Sequence, residues 1–543
     1  MTLGEKISYL RTESKMSQEN LAEKLSVSRQ SVSKWERGDS VPGIERIIAL
    51  ANLFCIGVDA LISEDYRTIK KCRVAMTNYK SERENKYFGT DGFRGEAGVT
   101  LTSEQAYRIG RFLGWYFSSG KKDGTRARIA VGKDTRRSSY MLEYSIIAGI
   151  TASGADVYML HVITTPGVSY VTKGDGFDCG IMITASHNPY YDNGIKLISS
   201  DGEKIGDGIT AMIEAYLDGD LSELGISGSD LPYAVGENIG GITDYTTGRN
   251  RYIGYLISLA SHSFRGLRIG LDLANGASWL IARSVFEALG AELYVTGCEP
   301  NGVNINKGVG STCIDNLVSL VKAQGLDLGF AFDGDGDRCI AVDSVGQVID
   351  GDGILYILAR RLKTKASLEG NRIAVTVMSN SGLLEALREM DIGYEITPVG
   401  DRFVYDRMQK LGLALGGETS GHVIIRKYAT TGDGLLTALM LTEEILDRRE
   451  SLSELTRYLN IYPQLTENLR VNDRDAVIND KRIIEAANRI RSELGDKGKL
   501  LIRKSGTEPL IRITLECEDK AKCSEYLGEL TKIIDERGYW KND

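Results

Sequence analysis

From Tyr87 onward the chain alternates short β-rich apolar runs with longer stretches of helical periodicity, and nothing else in it restricts the fold as strongly. ARIAVG, ADVYMLHVI, LRIGLDL, AELYVTG, LGFAFDGDGDR and RIAVTVM are the strand-like runs, with helical stretches between them such as residues 140–154. Strands that alternate with helices are joined by crossovers, so the pattern predicts α/β domains with mixed, mainly parallel sheets. The end of the chain departs from it: KLLIRK and LIRITLE with two helices predict a small α+β domain. At roughly 100–200 residues per domain, 543 residues hold about three to five. Boundaries fall near 240, 350 and 460, giving domains at 87–240, 241–350, 351–459 and 460–543.

The first 65 residues read differently, as an all-α run of short helices. Leu3, Ile7 and Leu10 share a helix face, as do Leu21 and Leu25; Ser17 and Ser28 occupy N-cap positions and Gly38 a C-cap position. MSQENLAEKLSVSRQSVSKWERG resembles the helix-turn-helix of the Cro/repressor family, whose second helix enters the major groove. The resemblance implies DNA contacts from Arg29, Gln30, Ser31 and Lys34, a phosphate contact from Gln18, and packing roles for Val27, Val32 and Trp35. Against it, residues 1–65 carry eight basic and ten acidic residues, which also suits a helical docking module. Residues 66–86 read as a basic linker of net charge +5, able to supply further phosphate contacts.

A net charge of −8 excludes a polyanion-binding surface over the whole protein, which confines any nucleic-acid contact to residues 1–86. No run of about 18 apolar residues occurs, and the N-terminus has no apolar signal-like segment, so the expectation is a cytoplasmic protein without a membrane partner. The eight cysteines are scattered, without a CxxC pair, and read as reduced thiols. Glycine is in excess, 61 residues, while proline is scarce at 8. Such a balance predicts tight turns and loops that approach a ligand closely.

Four loops, three of them glycine-bearing, carry candidate chemistry. Thr184-Ala185-Ser186-His187-Asn188-Pro189 follows the apolar strand CGIMI, so Ser186 is presented either as a nucleophile or merely as part of a strand-end turn. No GxSxG elbow exists, which leaves a hydrolase triad unsupported. Asp333-Gly334-Asp335-Gly336-Asp337-Arg338 sets three carboxylates at i, i+2 and i+4, able to converge on one hard cation. An EF-hand would need Gly and Glu where Arg338 and Ser344 stand. Gly416-Gly417-Glu418-Thr419-Ser420-Gly421-His422 offers Glu418 and Ser420 to sugar hydroxyls, and 503–509 with Arg512 forms an anion cradle.

With YFGTDGFRG at 87–95, these loops resemble those of the α-D-phosphohexomutase superfamily, in order and spacing, from about Lys86 to about Trp540. ASHNPYYDNGIK, GVNINKGVGST, GETSGH and YATTGDGLLTAL read closest to bacterial members acting on glucosamine phosphates. The resemblance implies three α/β domains and a smaller α+β domain around a central cleft, and an intramolecular phosphotransferase interconverting glucosamine 6-phosphate and glucosamine 1-phosphate. It implies a phosphorylated Ser186, which with Asp333, Asp335 and Asp337 binds Mg²⁺. Arg94, His187, Lys196 and Arg338 then line the reacting phosphate, with Lys196 first and His187 second as proton carriers. Gly400, Asp401 and Arg402 help select the sugar, Glu418 and Ser420 bind its hydroxyls, and Arg503, Ser505, Gly506, Thr507 and Arg512 hold the other phosphate. Glucose- or glucosamine-1,6-bisphosphate is the implied activator, and a homodimer is compatible with the family. The alternatives are a phosphomannomutase or phosphoglucomutase, or a transcription regulator that senses a phosphosugar.

Overall fold

The computed structural model describes residues 2–13, 16–25, 27–43, 46–47, 49–50, 86–121, 124–222, 224, 230–495, 497–504 and 510–540. They form two compact units, 1–87 with 206–231, and 88–205 with 232–543. The basic linker falls outside the described residues except for Lys86.

In the first unit, helices Leu3–Glu13, Gln18–Lys24 and Arg29–Arg37 enclose a small core of Ile7, Leu10, Leu21, Leu25, Val32 and Trp35. Its caps are those the sequence marks. Ser17 Oγ accepts from the Asn20 N–H at 3.1 Å, and Ser28 Oγ from the Ser31 N–H at 3.1 Å. Gly38 ends the third helix at φ 78°, a conformation that costs glycine nothing.

The second unit contains four sheets. The first runs in the order β1 (Phe88–Gly89), β2 (Gly92–Glu96), β6 (Asp192–Ser199), β5 (Cys179–Ile183), β3 (Arg128–Lys133), β4 (Asp156–Val162), β7 (Ile242–Asp244). It therefore extends past residue 240. The second has the order β12 (Val348–Ile349), β11 (Cys339–Asp343), β10 (Leu328–Phe332), β8 (Arg268–Asp272), β9 (Glu292–Thr296). The third is β14 (Gly393–Thr397), β13 (Arg372–Thr376), β15 (Leu415–Gly417), β16 (Val423–Ile425), and the fourth is β17 (Gln464–Arg470), β19 (Leu510–Cys517), β18 (Gly498–Lys504).

The sheets are mixed, with less parallel pairing than the alternation predicts. β5–β3–β4–β7 pair in parallel, but β6 returns antiparallel to β5. The reason is length: residues 184–191 are too few to house a crossover helix. The β10–β11 pair repeats this around residues 333–338, and the fourth sheet is antiparallel throughout.

β5, β10 and β15 all lie inside their sheets, and every residue in them is buried. Burying each large aliphatic side chain there contributes about 1.5–3 kcal/mol, which anchors the strand ends firmly. The loops beginning at Thr184, Asp333 and Glu418 leave the carboxyl ends of these three strands, where open α/β sheets place ligands.

Candidate active site

Ser186 follows β5 at φ 51°, a left-handed conformation uncommon for a residue with a side chain. Its N–H donates to Thr184 Oγ1 at 3.0 Å. The carbonyls of Ser186 and Asn188 are both held from outside the loop. Arg136 donates to them at 3.2 and 2.6 Å, and Asn306 Nδ2 at 2.9 and 3.0 Å. Arg136 is fully buried and ion-paired with Asp134, so the support is rigid. Although its loop forms the expected turn, Ser186 is only 1% exposed: its hydroxyl points inward and donates to Asp333 Oδ2 at 2.5 Å.

The three aspartates converge as their spacing predicts. All are buried, and one carboxylate oxygen of each lies within 4.8 Å of the other two. Asp333 Oδ1 accepts from the Arg338 N–H at 3.2 Å, while Asp335 Oδ2 accepts from Thr165 Oγ1 at 2.6 Å and Lys196 Nζ at 2.9 Å. The second oxygens of Asp335 and Asp337, both buried, have no hydrogen-bond partner. Two buried carboxylate oxygens without partners fit a cation-binding set, and hard oxygen donors suit Mg²⁺. Burial, then Asp337 and Asp335, push the Asp333 carboxyl well above the usual range, a penalty that a bound cation removes. Glycine is required at 334, where a Cβ would come within 2.5 Å of the Ser186 carbonyl oxygen, and at 336, where φ is 72°.

Fixed cations surround this acidic set. Lys196 lies 2.9 Å from Asp335, 3.3 Å from Asp337 and 3.1 Å from Asp91. Burial opposes its charge, but these carboxylates prevail and hold its pKa well above the ordinary value. Arg94 pairs with Asp91 and donates to Asn188 Oδ1 at 3.3 Å. His187 Nδ1 sits 3.4 Å from Ser186 Oγ. Burial, Arg338 and Arg94 push the His187 pKa down to about 4, which leaves a neutral imidazole at pH 7.

The third domain brings the proposed sugar loops together. Glu418 Oε1 accepts from the Gly400 N–H at 2.8 Å, and Ser420 Oγ donates to its other oxygen at 3.3 Å. Arg402 begins the helix Asp401–Leu411, its N–H bonded to Asp401 Oδ1 at 2.8 Å. His422 is buried with Nδ1 3.7 Å from Asp337. Its Nε2 accepts from the Gly432 N–H at 3.0 Å, which selects the Nδ1–H tautomer when the ring is neutral. Burial lowers its pKa, but Asp337, Asp401 and Glu418 raise it further, to about 9. The Gly432 contact opposes that second proton.

Arg503 and Arg512 face each other across β18 and β19. They share a sheet face with Glu516, which accepts from the Ser381 N–H at 2.6 Å and from Asn380 Nδ2 at 3.1 Å in the third domain. Ser505, Gly506 and Thr507 lie outside the described residues. In the helical unit Arg29, Gln30 and Lys34 are exposed and Ser31 is half-buried, while Val32 and Trp35 pack inside and Val27 is half-buried. Gln18 spends its amide N–H on Glu36, at 2.7 Å.

Sequence reasoning assigned no role to Arg136, Asn306, Asp91, Lys204 or His422, all of which hold this site together. Asp91, Asn306 and His422 stand within quoted motifs; nothing in the pattern around Arg136 or Lys204 distinguishes them from surface cations.

Ser186, the convergent aspartates and Glu418 at the strand ends of mixed α/β sheets fit a phosphohexomutase, and the chain belongs to the phosphoglucomutase/phosphomannomutase family. Residues 85–223, 250–346 and 350–462 match its alpha/beta/alpha domains I, II and III, 467–533 match its C-terminal domain, and residues 7–60 match a helix-turn-helix family. A phosphoglucosamine mutase of Lachnospira eligens is 53% identical over 454 residues, covering 84% of this chain and 99% of that one. One of Bacillus cytotoxicus is 44% identical over 449 residues, covering 83% and 98%. Among solved structures, a family member from Burkholderia thailandensis superposes with a TM-score of 0.67 at 24% identity, over 83% of this chain and 97% of that one. The Aspergillus fumigatus N-acetylphosphoglucosamine mutase, in complex with GlcNAc-6P and magnesium, gives 0.57 at 15%, over 86% and 98%. No helix among the described residues is long and apolar enough to cross a membrane.

Proposed function

We propose that the chain is a phosphoglucosamine mutase, interconverting glucosamine 6-phosphate and glucosamine 1-phosphate through phosphorylated Ser186 and a 1,6-bisphosphate intermediate. The observation that carries this is the Ser186 hydroxyl 2.5 Å from the first of three convergent buried aspartates. It is supported by 53% identity to a phosphoglucosamine mutase across 84% of the chain. A phosphomannomutase, a phosphoglucomutase or a phosphosugar sensor is not favoured: the curated relatives named above are phosphoglucosamine mutases.

In the forward step the bond from phosphorus to Ser186 Oγ breaks, the phosphoryl group joins the free sugar hydroxyl, and that hydroxyl releases its proton. Such a transfer has a loose transition state, so positioning and charge neutralisation supply most of the rate. Arg94, Arg338 and Lys196 provide fixed positive charge. His187, neutral and 3.4 Å from Ser186 Oγ, is placed to accept the proton, whereas the carboxylates around Lys196 keep its ammonium protonated. Asp333, Asp335, Asp337 and phosphorylated Ser186 would hold Mg²⁺, whose chemistry is Lewis-acid stabilisation of phosphoryl charge. Gly400, Asp401, Arg402, Glu418 and Ser420 orient the sugar; Arg503 and Arg512, with 505–507, hold the phosphate that is not reacting. The bisphosphate then turns end for end, and Ser186 regains a phosphate from the other position. A 1,6-bisphosphate serves as activator by phosphorylating Ser186.

The chain then divides into a helix-turn-helix domain, a linker at 66–86 and four mutase domains, with β7 (Ile242–Asp244) counted in the first mutase domain and not the second. The exposed Arg29, Gln30 and Lys34 suit DNA contacts, with Ser31 beside them, and a homodimer remains compatible with the fold. The test is Ser186→Ala in the full chain with glucosamine 1-phosphate and bisphosphate supplied: turnover should vanish, and full turnover would refute the phosphoserine. Promoter DNA should be protected by the full chain and not by a chain lacking residues 1–86.

A further inference from the structure

The turn at 199–205 contacts the sugar-selecting helix, although it carries none of the loops discussed so far. It is internally fixed, with the Gly202 N–H on the Ser199 carbonyl at 2.9 Å and the Ile205 N–H on the Leu197 carbonyl at 3.0 Å. From it Lys204 and Glu203 reach different points on one element. Lys204 Nζ lies 2.7 and 2.8 Å from the two oxygens of Asp401. Glu203 Oε1 accepts from Tyr405 Oη at 2.7 Å and from Gln409 Nε2 at 2.6 Å. Asp401, Tyr405 and Gln409 are spaced i, i+4 and i+8, so a single face of helix Asp401–Leu411 is gripped along its length.

That helix begins at the loop whose Gly400 N–H orients Glu418. On its other side Lys204 lies 2.8 Å from Asp91 and donates to the Thr90 carbonyl at 3.0 Å. Asp91 in turn pairs with Lys196 and Arg94. A cation between two carboxylates from different domains, about one-third exposed, thus links the sugar-orienting loop to the residues around the reacting phosphate.

We propose that the turn at 199–205 is a latch that sets the sugar loop in register with the phosphoryl-transfer end, with Lys204 and Glu203 as its positioning residues. The proposal deepens the mutase reading and rests on it. Neither residue contacts Ser186 or the aspartate triad, so loosening the latch releases the sugar end while the transfer machinery stays assembled. The intermediate must reorient within the site, and a latch of a few polar contacts can open for that step and close again.

The experiment compares wild type, Lys204→Met, Lys204→Arg, Glu203→Gln and Tyr405→Phe in the full chain. Each is assayed on glucosamine, glucose and mannose 1-phosphates, with bisphosphate release measured per turnover. On the best wild-type substrate, Lys204→Met should raise KM about tenfold with kcat changed less than about threefold, release more bisphosphate, and narrow the discrimination among sugars. Lys204→Arg should recover most of the loss. Unchanged KM, selectivity and release would overturn the latch, as would a fall in kcat alone. If Lys204→Met does not fold, Glu203→Gln and Tyr405→Phe decide by the same readings. A wild type inactive on all three sugars refutes the mutase reading instead; the latch is then judged by hydrogen exchange in Asp401–Leu411, expected to be faster in the variants and fatal to the proposal if unchanged.

Discussion

Arg136 and Asp134 form a completely buried ion pair beneath the Ser186 loop, and breaking it from one side is the sharpest test of how that loop is held. Arg136→Met keeps the volume and removes the charge. The carbonyls of Ser186 and Asn188 lose one donor each but retain Asn306 Nδ2, at 2.9 and 3.0 Å, so neither is orphaned. Asp134 keeps the Arg136 N–H at 2.9 Å and Ser139 Oγ at 2.7 Å on Oδ1, but loses its partner on Oδ2. The cost is therefore that of one half-compensated buried carboxylate, at the lower end of the about 3–5 kcal/mol typical of a broken buried pair. Asp134→Asn alone should cost a similar amount, since it strands the guanidinium. The double variant should cost at least about 2 kcal/mol less than the sum of the two, because neither charge is then left unpaired. Hydrogen exchange in β3 and β5 reads the local stability, and kcat reads the loop. A cost below about 1 kcal/mol for Arg136→Met, or strictly additive variants, would refute this account.

Three further outcomes are expected. Gly334→Ala puts a Cβ 2.5 Å from the Ser186 carbonyl oxygen and 2.8 Å from Ile305 Cδ1, so kcat should fall about a hundredfold while overall secondary structure by circular dichroism is unchanged. Asp335→Asn removes one of the three convergent carboxylates, and half-maximal activity should require at least about tenfold more Mg²⁺ in a titration. Burial and then Asp350 raise the Asp352 pKa to about 7, so the folded chain holds a proton there that the unfolded chain releases near pH 4. Its stabilising contribution is present at low pH and lost as pH rises through 7. Asp352→Asn should accordingly shrink the fall in thermal midpoint between pH 5 and pH 8, and an unchanged fall would show that Asp352 titrates normally.

What the sequence discloses and what it conceals divide along a physical line. Ser186 stays open between a nucleophile and a strand-end turn until the family resemblance is drawn, whereas the Asp333-Asp335-Asp337 set is legible because a short loop after an apolar strand brings its own residues together. The caps at Ser17, Ser28 and Gly38 are legible for the same reason, each being satisfied within a few residues. Arg136, Asn306 and Lys204 act across about 50, 120 and 200 residues respectively, through contacts that no local pattern encodes. Parallel pairing was over-read because the alternation of strands and helices does not register a hairpin, such as the one between β5 and β6 whose loop carries Ser186. The resemblance ranked Lys196 ahead of His187 as proton carrier; the mutase reading proposed above reverses that order, because carboxylates hold the Lys196 ammonium while Arg338 and Arg94 favour a neutral His187.

That electrostatic asymmetry extends to the whole site. Six carboxylates, from Asp91, Asp333, Asp335, Asp337, Asp401 and Glu418, face four fixed cations, Arg94, Lys196, Lys204 and Arg338. With His422, whose pKa is raised to about 9, the balance is short by one positive charge, and it is Asp333 that is pushed towards protonation while Asp337 is drawn well below the usual range by Lys196 and His422 despite its burial. A divalent cation at the triad would cover the deficit at the place where it falls. Phosphorylation of Ser186 then adds about −1.5 to −2 beside Asp333, and the substrate brings a second phosphate. Among the described residues Arg94, Lys196 and Lys204 already have carboxylate partners. The paired Arg503 and Arg512 of the fourth sheet are the cations whose placement fits the need, since they stand on the face that Glu516 turns towards the third domain. On the mutase reading, charge gives the small antiparallel domain its part beside the three α/β domains: the second phosphate of the bound sugar is neutralised when the fourth sheet, with Arg503 and Arg512, is engaged.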